Sequence, residues 1–130
     1  MASSPGEIGH TVTGLVLAGD SAGGNLAAVC AQELTGKLSV PVLAQWLIYP
    51  SVDFLSQTPS LAEFAEGFLL TREDMDFFHG CYLPNLADRS DLRASPLHAP
   101  SLAGQPPTLV FTCGLDPLRD QGRADAARLI

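Results

Sequence analysis

The feature that most constrains this chain is the change of pattern around Gly19-Asp20-Ser21-Ala22-Gly23-Gly24. Before it, residues 11–18 (TVTGLVLA) form a short apolar, β-branched run. Apolar residues on consecutive positions predict a strand covered on both faces, as in a parallel sheet. After it, residues 22–34 are small and helix-favouring, with Ala22, Leu26, Val29 and Cys30 at helical spacing and Gly36 as the stop. A strand that passes through glycines directly into a helix is the first half of a βαβ unit.

The rest of the chain continues that rhythm. Residues 1–10 read as a loop, residues 42–49 (VLAQWLIY) as a second buried strand ended by Pro50, and residues 108–113 (TLVFTC) as a third. Between the last two, residues 61–83 hold two helices, the second opening at Thr71 with Asp74 three positions on, the arrangement of a capping box. Residues 85–105 are irregular, and residues 120–130 are helical with no Gly, Asn or Pro to stop them. The order predicts an α/β fold with parallel strands joined by right-handed crossovers. A helix still running at Ile130 predicts an incomplete domain: residues 1–130 read as one partial α/β unit, from a truncated gene product or an incomplete gene model.

Composition removes several classes of function. Net charge is -7, Lys37 is the only lysine, and the arginines are scattered among acids, so no basic patch for nucleic acid can form. No apolar run approaches the roughly 20 residues of a membrane span, and no secretory leader opens the chain, which predicts a cytoplasmic protein. Cys30, Cys81 and Cys113 are far apart and in no metal-ligand spacing. They read as reduced, mostly buried thiols, and no metal is expected.

Ser21 is the residue that carries chemistry. The pattern Gly-x-Ser-x-Gly is common by itself and becomes specific at a strand-to-helix turn, where a serine is lifted above the sheet in a strained conformation. Its neighbours two positions away, Gly19 and Gly23, must then be small, and Gly24 allows close helix–strand packing. The N–H groups at the start of the helix, that of Ala22 first, face the place where an oxyanion would form. Two other readings are a plain turn with Ser21 as N-cap and a phosphate loop, but no Gly-Lys-Ser/Thr and no G-x-G-x-x-G spacing is present.

GDSAGGNLA, LIYPSVD, GFLLTREDM followed by Tyr82, ASPL and PPTLVFTCGLDPLRDQG occur in that order from about Val12 to Leu129. Together they resemble the hormone-sensitive-lipase-like branch of the α/β-hydrolases. The resemblance implies a carboxylic-ester hydrolase acting on small acyl esters with no cofactor, through a Ser-Asp-His triad in chain order. Ser21 matches the nucleophile and Asp116 the acid. Asp116 lies just past the third strand, on the same sheet edge as Ser21, where it would orient a histidine. Asp53, after the second strand, and Asp120, at a helix start, are its rivals.

Two parts of that pattern find no match. No His-Gly-Gly-type oxyanion loop precedes Gly19, and residues 117–130 contain no histidine. His10, His79 and His98 all precede Asp116 and read as surface or loop histidines without catalytic duty. Losing the base of a triad costs roughly 10⁶ in turnover, so this chain alone is expected to be nearly inert. The alternative is a non-catalytic ligand-binding module on the same fold. Phe64, Phe68, Phe77 and Phe78 are available for an acyl-pocket wall, or equally as core aromatics.

Overall fold

The computed structural model describes residues 5–130. The expected opening loop lies partly outside them; within them, Pro5–Ile8 forms a single helical turn, α1. Three strands follow in the chain, β1 (Leu15–Asp20), β2 (Val42–Ile48) and β3 (Thr108–Phe111). They form one parallel sheet in the order β1-β2-β3. The helices are α2 (Ala22–Leu34), α3 (Pro59–Glu63), α4 (Arg72–Tyr82) and α5 (Arg119–Arg128), and residues 85–105 contain two 3-10 turns, Leu86–Ser90 and Pro96–His98.

Several boundaries differ from those the sequence suggested, among them those of β1 and α5. β1 begins at Leu15 and runs through Gly19 and Asp20, because these pair in register with Leu47 and Ile48 of β2. Sheet pairing, absent from any local propensity, carries the strand into a Gly-Asp pair that reads as turn. α5 stops at Arg128 instead of running on through Ile130. Its last turn is closed by Leu129 N–H on the Ala126 carbonyl, and the Arg128 guanidinium is anchored on the carbonyls of Leu97 and Ala99.

The expectation that the strands are buried on both faces is not met. Their side chains alternate, and only one face packs. On that face Leu17, Leu47 and Val110 meet Ala27, Ala28, Val52 and Leu97. The other face carries Val16, Trp46, Leu109 and Phe111, each more than half exposed. A continuous apolar run marks both faces as coverable; it does not say that both are covered. A second small core, Leu61, Met75, Leu118 and Leu70, joins α3 and α4 to the start of α5. The thiols are all free, with Cys30 and Cys113 half-buried and Cys81 exposed, so one of the three departs from the buried placement expected.

Candidate active site

Ser21 sits where β1 ends and α2 begins, at φ 52° and ψ -117°. That is positive-φ backbone, which a non-glycine residue adopts only when its surroundings impose it. Here three segments do so. Ser21 N–H donates to the Ile48 carbonyl at the end of β2 (2.9 Å), and its carbonyl accepts from the N–H groups of Asn25 (3.1 Å) and Ser51 (3.3 Å). Its hydroxyl makes no cap bond to α2, which argues against the plain N-cap reading.

The glycines around it act unequally. A Cβ at Gly19 would fall on the Gly23 carbonyl group, so the strand and the first helical turn can approach only because residue 19 is glycine. A Cβ at Gly24 would lie 2.8 Å from Cβ of Pro50, so close packing there also needs glycine. At Gly23 a Cβ would meet only a carboxylate oxygen of Asp20 at 3.8 Å, an ordinary contact. The expected size limit at residue 23 therefore belongs to its backbone, which Gly19 must clear. Asp20 itself is exposed.

Asn25, missed in the sequence, finishes the turn. Its buried side-chain amide donates to the carbonyls of Ser51 and Ala94, both at 2.7 Å. An Asn in the first turn of a helix gives no local signal that its partners lie 26 and 69 residues away.

The turn opens into a cavity of about 380 Å³, within the range of small-molecule sites. It is lined by Ser21, Ala22 and Asn25 of the turn, by Phe54, Met75 and Leu118, and by Phe78, His79 and Tyr82 of α4. The amide N–H groups of the first turn of α2 have no intrahelical partners, and the one at Ala22 follows Ser21 directly. Of the four phenylalanines considered for a wall, only Phe78 lines the cavity. Phe64 is buried beneath the Arg119 guanidinium and stacks edge-on with Phe68, while Phe77 is an exposed neighbour of Phe78.

His79 corrects an expectation. It is not a surface histidine but a half-buried part of this wall, its ring 4.6 Å from that of Phe54 in an edge-on contact. Burial holds its imidazole below the ordinary histidine range, helped by the positive charges of Arg89 and Arg72 and opposed by Asp76. His98 pairs with Asp53 at 2.9 Å and does not line the Ser21 cavity, and His10 is exposed.

Asp116 lies between β3 and α5 and is half-buried. Burial raises its carboxyl above the usual carboxylate range, and a 2.9 Å hydrogen bond from Leu118 N–H opposes that. It is not among the cavity-lining residues, but Leu118, two positions on, is. The rivals are committed elsewhere. Asp53 Oδ1 takes His98 and the Leu55 N–H, and Asp120 binds the backbone of Ser60 and the side chain of Arg119.

A parallel sheet with a strained serine between strand and helix, beside an apolar cavity, defines a class, and comparison with known proteins places the chain in it. A family profile described as alpha/beta hydrolase fold matches residues 1–130. The chain belongs to the α/β-hydrolase fold family, in its hormone-sensitive-lipase-like branch. It is 46% identical over 129 residues to carboxylic ester hydrolase LipN of Mycobacterium tuberculosis, covering 95% of this chain and 34% of that protein. It is 38% identical over 117 residues to ethyl acetate hydrolase of Pseudomonas putida, covering 88% of this chain and 36% of that one. Among solved structures, the esterase of Pyrobaculum calidifontis superposes with a TM-score of 0.89 at 38% identity, covering 98% of this chain and 42% of the esterase. The thermostable metagenomic carboxylesterase EstE1 superposes with a TM-score of 0.88 at 42% identity, covering 98% of this chain and 44% of EstE1. The chain thus spans about a third of the length of the curated relatives it matches.

Proposed function

We propose that these residues form the nucleophile and acid portion of a serine carboxylic-ester hydrolase acting on small acyl esters. The observation that carries the reading is Ser21: a serine held at positive φ, its hydroxyl free of any cap bond, lining an apolar cavity. In this reading Ser21 Oγ attacks the ester carbonyl, the Ala22 N–H stabilises the developing oxyanion, and the acyl chain lies against Met75, Phe78 and Leu118. Asp116 orients a histidine base and stabilises its protonated form. The relatives named for ester hydrolysis support the substrate class. Three free thiols accord with a reducing, cytoplasmic setting.

Within the 130 residues no histidine follows Asp116, so the chain by itself has two of the three triad groups. Its turnover is expected to lie roughly 10⁶-fold below that of a complete triad. An alkyl fluorophosphonate tests this. Ser21 should be labelled slowly in the 130-residue chain and rapidly in a chimera that adds a relative's flanking segments, with no labelling in either after Ser21→Ala. Labelling that survives Ser21→Ala would overturn the assignment of the nucleophile. Rapid, Ser21-dependent hydrolysis of a p-nitrophenyl ester by the chain alone would overturn its inertness.

A further inference from the structure

The start of α5 lacks a cap of its own. Its N-cap position is Leu118, which has no side-chain acceptor, yet the helix begins there and the loop before it carries Asp116. The first N–H groups of a helix need acceptors, and a buried start without them is costly. The acceptor comes from α3. Ser60, fully buried, takes the Asp120 N–H on its hydroxyl oxygen at 3.2 Å. Asp120 occupies the second helical position, where an N-cap side chain ordinarily accepts. The reverse bond is also made: the Asp120 carboxylate accepts the Ser60 backbone N–H at 2.9 Å. These are the two reciprocal bonds of a capping box, made here between residues 60 positions apart.

The hydroxyl proton of Ser60 has a separate use. It donates to the Pro117 carbonyl at 2.8 Å, so the one donor of that hydroxyl and one of its acceptor sites are both engaged. Pro117 directly follows Asp116, and the next N–H, that of Leu118, is the one that holds Asp116 Oδ1. Arg119 grips the other side of the loop, donating to the Gly114 carbonyl at 3.1 Å while bridging Asp120 and Glu63. Gln121 then fixes the helix to the loop after β2 by accepting the N–H groups of Val52 and Asp53.

From this arrangement we infer that Ser60 and Asp120 are positioning residues for Asp116: a capping box built in trans that sets the acid loop. This rests on the reading of Asp116 as the acid of the site. Neither residue touches substrate. Their effect passes through Pro117 and Leu118 to the direction of one carboxylate.

The test uses amide NMR on the 130-residue chain. A carboxylate that accepts an amide proton shifts that amide as it ionises, so the Leu118 resonance should titrate with Asp116 from acid to neutral pH. In Ser60→Ala and Asp120→Ala the Leu118 titration should be lost, while the Asn25 side-chain amide signals stay in place and report an intact fold. Asp120→Asn keeps an oxygen for the Ser60 N–H and loses the charge toward Arg119, so it should retain the titration. If Ser60→Ala does not fold, Asp120→Ala against Asp120→Asn carries the same comparison. An unchanged Leu118 titration in a folded Ser60→Ala or Asp120→Ala variant would overturn the inference, and so would its loss in Asp120→Asn. Fluorophosphonate labelling reports Ser21 independently, so either reading can fail while the other stands.

Discussion

At the residue scale, Ser21 and Gly19 show how a strained position is held against local preference. The positive φ of Ser21 stores strain that glycine would not feel, of order 1–3 kcal/mol. Ser21→Gly is therefore expected to raise stability by about 1 kcal/mol, and Ser21→Ala, which keeps a Cβ, is not. Gly19→Ala should cost about 2 kcal/mol or more, because its methyl group has only the Gly23 backbone to displace. Gly23→Ala should be nearly neutral, since its methyl group has room. Urea unfolding of the four variants checks the order. Equal stability of Gly19→Ala and Gly23→Ala would show that the strand–helix approach is looser than the geometry requires.

At the element scale, α4 and α5 make a contrast. The box at the start of α4 joins Thr71 and Asp74, with the Asp74 N–H on Thr71 Oγ1 and the Thr71 N–H on the Asp74 carboxylate, both at 3.1 Å. It was legible in the sequence because its partners are three residues apart. The equivalent device on α5 was not, because Ser60 lies in another helix and Asp120 viewed alone passes for a simple cap. The same division runs through the rest of the chain. The three strands, the serine turn and its glycines were legible from short-range pattern. The bare sheet face, Asn25 and the wall position of His79 depend on what the fold brings beside them. α5 also holds a pH-dependent group. Asp125 is buried on it, and burial pushes its carboxyl up to about 6 against the pull of Arg128. A folded-state value above the unfolded one favours the protonated form, so the contribution is full near pH 4 and fades as pH rises to about 6. Asp125→Asn mimics the neutral carboxyl. It should be more stable than the parent by about 2–3 kcal/mol at neutral pH and indistinguishable near pH 4, by urea unfolding at each pH. A gap independent of pH would remove the titration from α5.

At the scale of the whole molecule, the sheet has one packed and one bare face. Val16, Trp46, Leu109 and Phe111 stand exposed on the bare face, the first three sharing one shallow hollow with Pro107 and Thr108. Exposed patches of this kind drive association. Trp46 is the only tryptophan, so its emission reports this face alone. In the isolated chain it should be red-shifted and open to acrylamide quenching, and should turn blue and protected as concentration rises. Leu109→Lys should suppress that change. A protected Trp46 at low concentration would mean that the face is already covered.

Asn25 has a consequence in time as well as in space. Its two acceptors, the carbonyls of Ser51 and Ala94, arrive 26 and 69 residues later in the chain. During synthesis β1 and the first turn of α2 emerge before these partners, and the bonds that complete the seat of Ser21 cannot close until the segment around residue 94 has followed. Contacts of long sequence separation form late, after the intervening loop has been ordered. Ser21 is thus made before two of its supports and is fully seated only after both have followed.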